Sequence, residues 1–154
     1  MDEELMERAL ALAREAQLAG EPPFAALLVD ARGTLVARAT DEVRRHHDYT
    51  LHAESTAVRR ACARVGSDLA GHVLYTTVEP CPMCFTASWL ARVSRIVFGC
   101  TMEAVHAATR GQQRELMVPA ERMNALSGEP LVLVGGVLAS RCLSLFGGEM
   151  RDAP

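Results

Sequence analysis

The sequence contains no lysine; all sixteen of its basic residues are arginine, and the net charge is −3. A protein that grips nucleic acid by its phosphates displays a basic stripe or tail, because neutralised phosphates drive that association. No such stripe is present. The nearest basic clusters are the pairs Arg44-Arg45 and Arg59-Arg60, and the last eight residues, Gly147 to Pro154, are acidic overall. The arginine pairs read as solvated surface, so a small-molecule substrate is expected and nucleic acid is not. Long apolar runs are also missing: none approaches the ~20 residues that a membrane span needs. The N-terminus carries acids where a signal peptide carries bases. The expected location is therefore the cytoplasm, with no membrane association. Disulfides are not expected either, since five cysteines in a chain without a leader point to metal or redox chemistry for any close pair. Cys62, Cys100 and Cys142 lie in apolar surroundings and read as small buried hydrophobes. Repeats, linkers and low-complexity tracts are absent, and 154 residues suit one domain spanning 1–154.

The residues that are present alternate between helical and extended patterns. Asp2 to Ala19 places Leu5, Ala9, Leu12, Ala13 and Ala16 on one helical face, and Gly20 with Pro22-Pro23 ends it. Phe24 to Val29 and Thr34 to Thr40 read as strands joined through the turn Asp30 to Gly33. Asp41 to Leu51 is polar and loop-like. Ala53 to Val65 is helical, with Ala57, Val58, Ala61, Cys62 and Val65 as its buried stripe. A strand, Val73 to Val78, runs into Glu79-Pro80-Cys81-Pro82. Met83 to Ala91 is a helix, Arg95 to Gly99 and Leu131 to Val134 are strands, and Val137 to Phe146 is a closing helix. The stretch from Thr101 to Glu129 is expected to hold one or two helices with loops. Strands alternating with helices after an opening hairpin imply an α/β fold, a mixed sheet covered on both faces. Ligands in such sheets gather at the carboxyl ends of strands.

Two segments near that edge carry chemistry. Cys81 and Cys84 lie three apart across a helix start, so both thiolates can face one metal. The helix dipole favours their ionised form. A C-x-x-C pair alone fits a thiol redox couple equally well. His52 opens the other strong helix and Glu54 follows two positions later. Three ligands of the His/Cys/Cys type leave the fourth position of zinc open to water, as in catalytic sites. A zinc-bound water ionises near pH ~7, and one carboxylate beside it can carry protons to a ring nitrogen and then to departing ammonia. His46, His47 and His72 read as cap or surface residues. The conjunction H-x-E…P-C-x-x-C is the signature of the zinc deaminases, and a redox role would leave His52 and Glu54 unexplained.

On these motifs the chain resembles the cytidine deaminase-like superfamily, in particular the branch of guanine, cytosine and tRNA adenosine deaminases. The resemblance runs from Pro23-Phe24-Ala25-Ala26 through His47 to Glu54 and Leu74 to Cys84. It continues over Arg95 to Gly99 and Gly136 to Ala139. It implies a three-layer α/β/α fold with a five-stranded mixed sheet, a homodimer whose interface shapes the active sites, and one Zn2+ per chain. His52, Cys81 and Cys84 would hold that zinc, Glu54 would shuttle protons, and the amide of Cys81 would contact the zinc-bound oxygen. Pro23-Phe24 and Pro-Cys-Pro-Met-Cys look more like the guanine deaminase branch. Phe24 has two readings, a stacking platform for a base or a core residue of the first strand. Ala53, Glu79 and Pro80 are further candidate substrate contacts, as are Glu103 and His106, which lie where relatives place such contacts. Exposed helix positions are the ordinary alternative for those last two.

Two residues depart from the relatives' pattern. Asp41 stands where relatives commonly carry asparagine, and an ionised carboxylate only accepts hydrogen bonds where an amide also donates. Asp41 is therefore expected to face an N–H or amino edge of the substrate. Ala25 replaces a glycine and is expected to trim the pocket by a methyl. The function expected is zinc-dependent hydrolytic deamination of a small guanine- or cytosine-like base or nucleoside. The alternatives are tRNA adenosine-to-inosine editing and a non-catalytic zinc-stabilised binding protein.

Overall fold

The structure, a computed structural model, describes residues 1–147; all but the first residue of the acidic C-terminal stretch lies outside them. Five strands form one sheet in the order β2-β1-β3-β4-β5. They are β1 (Ala25–Val29), β2 (Leu35–Thr40), β3 (Val73–Val78), β4 (Arg95–Cys100) and β5 (Val132–Val134). β1 runs antiparallel to both β2 and β3, while β3, β4 and β5 are parallel. The helices are α1 (Asp2–Leu18), α2 (Val43–His46), α3 (Ala53–Val65), α4 (Pro82–Leu90), α5 (Met102–Ala108), α6 (Ala120–Leu126) and α7 (Ala139–Ser144). No helix among the described residues is long and apolar enough to cross a membrane.

The period-2 alternation of strand side chains divides the core into two layers. Ala25, Leu27 and Val29 of β1 face a cluster built with Leu5, Met6, Ala9, Leu10 and Ala13 of α1 and Cys142 of α7. Ala26 and Leu28 face the other side, with Ala53, Ala57, Val58 and Ala61 of α3, Phe85 of α4 and Ala120 of α6. The result is the expected three-layer α/β/α arrangement. All five residues of β1 are buried, which is why its sequence is continuously apolar rather than alternating. The hairpin turn between β1 and β2 forms because Asp30 Oδ1 accepts the amide N–H groups of Arg32 and Thr34, both at 2.9 Å. Gly33 supplies a φ of +80° there, a value that costs glycine nothing.

Several expectations shift by one or two residues at element ends, as for the closing helix (Ala139–Ser144), and four shift more. The polar loop 41–51 contains the one-turn helix α2. On α1 the buried face includes Met6 and Leu10, and Leu12 is only partly buried. The stripe of α3 runs through Ala53, Ala57 and Ala61 instead of extending to Val65, which is 49% exposed. Cys100 and Cys142 are buried as expected, whereas Cys62 is half-buried. The 101–129 stretch resolves into α5 and α6 with a long connection between them.

These details position the carboxyl edge of β3 and β4. The stripe Ala53-Ala57-Ala61, at i, i+4 and i+8, meets small residues of the sheet, Ala26, Ala37 and Ala39. Methyl against methyl lets the helix axis lie close to the strands, and so brings the start of α3 to the end of β3. At that end the Glu79 carboxylate accepts the Met102 amide (3.0 Å) and the Ala120 amide (2.9 Å), tying the starts of α5 and α6 to β3.

Candidate active site

His52 and Cys81 occupy equivalent places, each the extended residue that precedes a helix, α3 and α4 respectively. Pro82 sits in the first turn of α4, where its missing N–H is not needed and its fixed φ already suits a helix. The approach to His52 is pinned locally. Asp48 Oδ1 accepts from both the amide and the hydroxyl of Thr50, and Ser55 Oγ donates to the carbonyl of Thr50. The loop is thereby closed onto the helix start, and the imidazole points toward α4.

His52 Nδ1 lies 3.5 Å from Cys81 Sγ and 3.6 Å from Cys84 Sγ. The three ligand atoms all fall within 4.8 Å of one another. Tetrahedral zinc, with bonds of about 2.0–2.1 Å to nitrogen and about 2.3 Å to sulfur, separates N from S by about 3.5–3.6 Å. The donor set and its spacing fit one zinc ion with a fourth position left over. The electrostatics of the bare side chains point the same way. The Cys81 thiolate beside His52 pushes the imidazole up to about 9 against the opposing effect of burial. The S–H of Cys84 stabilises the Cys81 thiolate and holds its pKa well below the usual thiol range.

Glu54 is buried at the first turn of α3. Its Oε1 accepts the hydroxyl of Thr76 at 2.6 Å, and the same hydroxyl oxygen lies 3.0 Å from the carbonyl of Val78. Burial raises the carboxyl above its ordinary range, and the Thr76 hydrogen bond partly offsets that. The carboxylate is thus held firmly but weakly solvated, which favours its taking up a proton.

An inner cleft of about 20 Å³ is lined by Phe24, Asp41, His52, Glu54, Gln113 and Glu115, among others. That volume accepts about one water molecule. A wider outer cavity of about 490 Å³ shares Asp41, His52 and Gln113 with the cleft. Asp41 therefore stands at the neck between the two. Its Oδ1 accepts the Val43 amide at 3.0 Å, and burial raises its pKa.

The remaining sequence candidates fall into different places. Ala53 and Glu79 also line the cleft, although both Glu79 oxygens accept backbone amides. Phe24 keeps both of its readings, since it lines the cleft and its ring lies 5.2 Å from that of Phe146. Pro80 is buried at the end of β3, and Glu103 is exposed on α5. His106 is outside the cleft lining, its Nδ1 lying 3.0 Å from the carbonyl oxygen of Gln113. Ala25 is buried in the α1-side core and lies outside the cleft lining, so its methyl packs the core. Sequence reasoning missed Gln113 and Glu115. They reach the cleft because Thr109 and His106 hold the connection after α5 in a tight return, with the Gln113 amide donating to Thr109 Oγ1 at 3.2 Å. Burial pushes the Glu115 carboxyl up to about 7.

Residues 1–100 match the family described as the cytidine and deoxycytidylate deaminase zinc-binding region. The tRNA-specific adenosine deaminase of Bacillus subtilis is 36% identical over 156 residues, covering 97% of this chain and 91% of that protein. The guanine deaminase of the same organism is 40% identical over 98 residues, 62% of each chain. The solved structure of guanine deaminase from Nitrosomonas europaea superposes with a TM-score of 0.83 at 29% identity, over 94% of this chain and 81% of that one. A tRNA(Ile)-lysidine synthase of Deinococcus deserti is 45% identical over 95 residues, but the match spans only 18% of that protein. With a tRNA-acting protein matching nearly end to end, the expectation against nucleic acid rests on charge alone.

Proposed function

The chain belongs to the family that carries the cytidine and deoxycytidylate deaminase zinc-binding region, and on that premise we propose that it is a zinc-dependent hydrolase that removes an exocyclic amino group from an amino-heterocycle. The observation that carries the proposal is the set of three donor atoms at tetrahedral zinc spacing with a buried carboxylate on the same helix start. His52, Cys81 and Cys84 hold the metal. Bound zinc supplies a Lewis acid that acidifies water toward neutral pH.

Glu54 performs the proton work. It accepts the proton of the attacking water as the C–O bond forms at the amino-bearing ring carbon. It returns that proton to the adjacent ring nitrogen. A second proton passes through the same carboxyl to the amino nitrogen as the C–N bond breaks, so amidine and water become a lactam and ammonia. Thr76 fixes the carboxylate that makes these transfers. The heterocycle presents its reacting edge to the narrow cleft, with Asp41 and Glu115 available to an N–H or amino edge and Phe24 to a ring face. The substrate we favour is a guanine- or cytosine-like base or its nucleoside. The enzyme is expected to act in the cytoplasm as one domain per chain, paired as a homodimer.

A second reading, deamination of an adenosine within tRNA, is favoured by one observation: the tRNA-specific relative aligns over 97% of the chain. Ammonia release from guanine, cytosine and adenine, their nucleosides and a tRNA decides between the two. Glu54→Ala serves as the control, and metal content is measured alongside. Turnover of one class, lost in the control, identifies the substrate. A protein without stoichiometric zinc overturns the reading.

A further inference from the structure

We propose that the outer cavity is a phosphate subsite, so that the substrate carries a phosphate ester on the sugar attached to its base. This rests on the deaminase reading above and replaces its bare base or nucleoside with a phosphate-bearing one. The inner cleft, at about 20 Å³, admits only the reacting edge of a ring. The rest of the substrate must project past Asp41, His52 and Gln113 into the outer cavity of about 490 Å³. Small-molecule sites bury most of their ligand's surface, and a bare base leaves most of that space unfilled.

The residues that line the outer cavity and not the cleft include Arg44, Arg114 and Tyr49. Their state differs from that of the arginines nearby. Arg45 and Arg60 both pair with Glu42, at 3.4 and 2.9 Å. Neither Arg44 nor Arg114 has an acidic partner among the described residues, and Arg44 makes only a 3.5 Å contact from Nη1 to the Gly20 carbonyl. Two guanidinium groups that line the same cavity are therefore without an acidic partner among the described residues. A planar fork matches two phosphate oxygens. Tyr49, 82% exposed, lines the same cavity and offers a flat ring for a sugar or base face.

Charge also orders the substrate along this path. The cleft holds Asp41, Glu54 and Glu115, which repel a phosphate and attract N–H groups. The arginines do the opposite one step further out. A molecule with an amino-heterocycle at one end and a phosphate at the other has a single favourable orientation, with its amino group toward His52 and Glu54.

The test compares kcat/KM for each nucleoside with that of its 5′-monophosphate (cytidine, guanosine and adenosine series) and with an RNA stem-loop holding the same base in its loop. The wild type is expected to favour phosphate-bearing members at least tenfold, and Arg44→Gln/Arg114→Gln to collapse that ratio with zinc content unchanged. A preference for the mononucleotide assigns the phosphate to a free nucleotide; preference for the stem-loop assigns it to a strand. Ribose 5-phosphate, titrated calorimetrically into the zinc-loaded protein, supplies a readout independent of turnover. It should bind the wild type, weaken with added salt, and bind the double variant at least tenfold less well. Ammonia release with no phosphate preference, or with a preference that survives the double substitution, overturns the subsite and leaves the deaminase reading intact. Failure of ribose 5-phosphate to bind the wild type also overturns it. Ribose 5-phosphate binding without ammonia from any substrate sustains the subsite and sinks the deaminase reading instead.

Discussion

At the start of β4, Arg95 forks onto both oxygens of Asp2, at 2.8 and 2.6 Å, and the Tyr75 hydroxyl donates to the same carboxylate at 2.7 Å. At the other end of β3 and β4, the carboxyls of Asp41, Glu54 and Glu115 face the cleft, and burial raises the pKa of each. The first group is closed: the guanidinium lowers Asp2 to about 2, and burial together with the Asp2 carboxylate raises Tyr75 to about 12. The second is open, since among the described residues no guanidinium pairs with any of its three carboxyls. Both groups belong to one sheet and one chain. Charges paired within the chain anchor α1 to the strands, whereas the carboxyls at the strand ends carry single hydrogen bonds from neutral donors and face the cleft. Buried carboxyls of the second kind cost stability when ionised.

The sharpest way to separate the two edges is to remove one proton carrier from the open one. Glu54→Gln keeps the shape and the Thr76 contact but cannot cycle a proton, so turnover should fall by about 10²–10⁴-fold. Zinc content and unfolding midpoint should stay near wild type. Loss of zinc in this variant would mean that Glu54 supports the metal rather than the reaction. Stripping the metal with a chelator should abolish turnover entirely, and restored zinc should return it. Glu79 tests the boundary between the edges. It lies beside the cleft yet spends both oxygens on the Met102 and Ala120 amides. Glu79→Gln places an NH2 against one of those N–H donors and should cost about 1–3 kcal/mol of stability, measured by denaturant unfolding. An unchanged stability with an altered substrate profile would return Glu79 to the substrate contacts.

The open edge was the more legible of the two from the residues alone. His52 and Glu54 sit at the start of α3 and Cys81 and Cys84 at the start of α4; the spacing within each pair is local and so legible, while the packing of α3 on the sheet brings the two starts together. The hairpin and the alternation of strand and helix were legible for the same reason, since period and turn chemistry are local. Gln113 and Glu115 were not legible: they reach the cleft only because His106 and Thr109 fold back the connection after α5, and no periodic pattern marks that return. The Asp2–Arg95 pair joins residues 93 apart in sequence, and neither residue type signals a partner at that distance. The buried face of α1 slipped toward Met6 and Leu10 because one residue turns a helix by about 100°, so a stripe read from alanines and leucines alone leaves its orientation loose.

The closed edge gives a smaller effect with a sign that pH exposes. Asp2 has a folded pKa of about 2 against an ordinary 3.8, so its ionised form stabilises the fold above pH ~4 and that contribution is lost as pH falls through about 2. Asp2→Asn should therefore lower stability by about 1–2 kcal/mol near neutrality, after allowance for partial exposure. The gap between variant and wild type should close between pH 4 and 2. A gap that persists at pH 2 would assign the effect to packing rather than to charge.

Glu115 provides the finest comparison, because its folded pKa lies on the opposite side of the ordinary value. Burial holds its carboxyl up near 7. Below that pH it carries a proton and can donate a hydrogen bond; above it the group only accepts. If it meets an amino or N–H edge of the substrate, kcat/KM should rise by a few-fold as pH climbs through 7 and then level. Glu115→Gln has a fixed amide that does not titrate, so that limb should flatten. A profile that keeps its rise near 7 in the variant would assign the limb to another group and leave Glu115 as a wall of the cleft. A rise that reverses, with activity falling above 7, would mean that the protonated carboxyl donates to an acceptor on the ring. The direction of one titration thus reports which edge of the heterocycle the open end of the sheet reads.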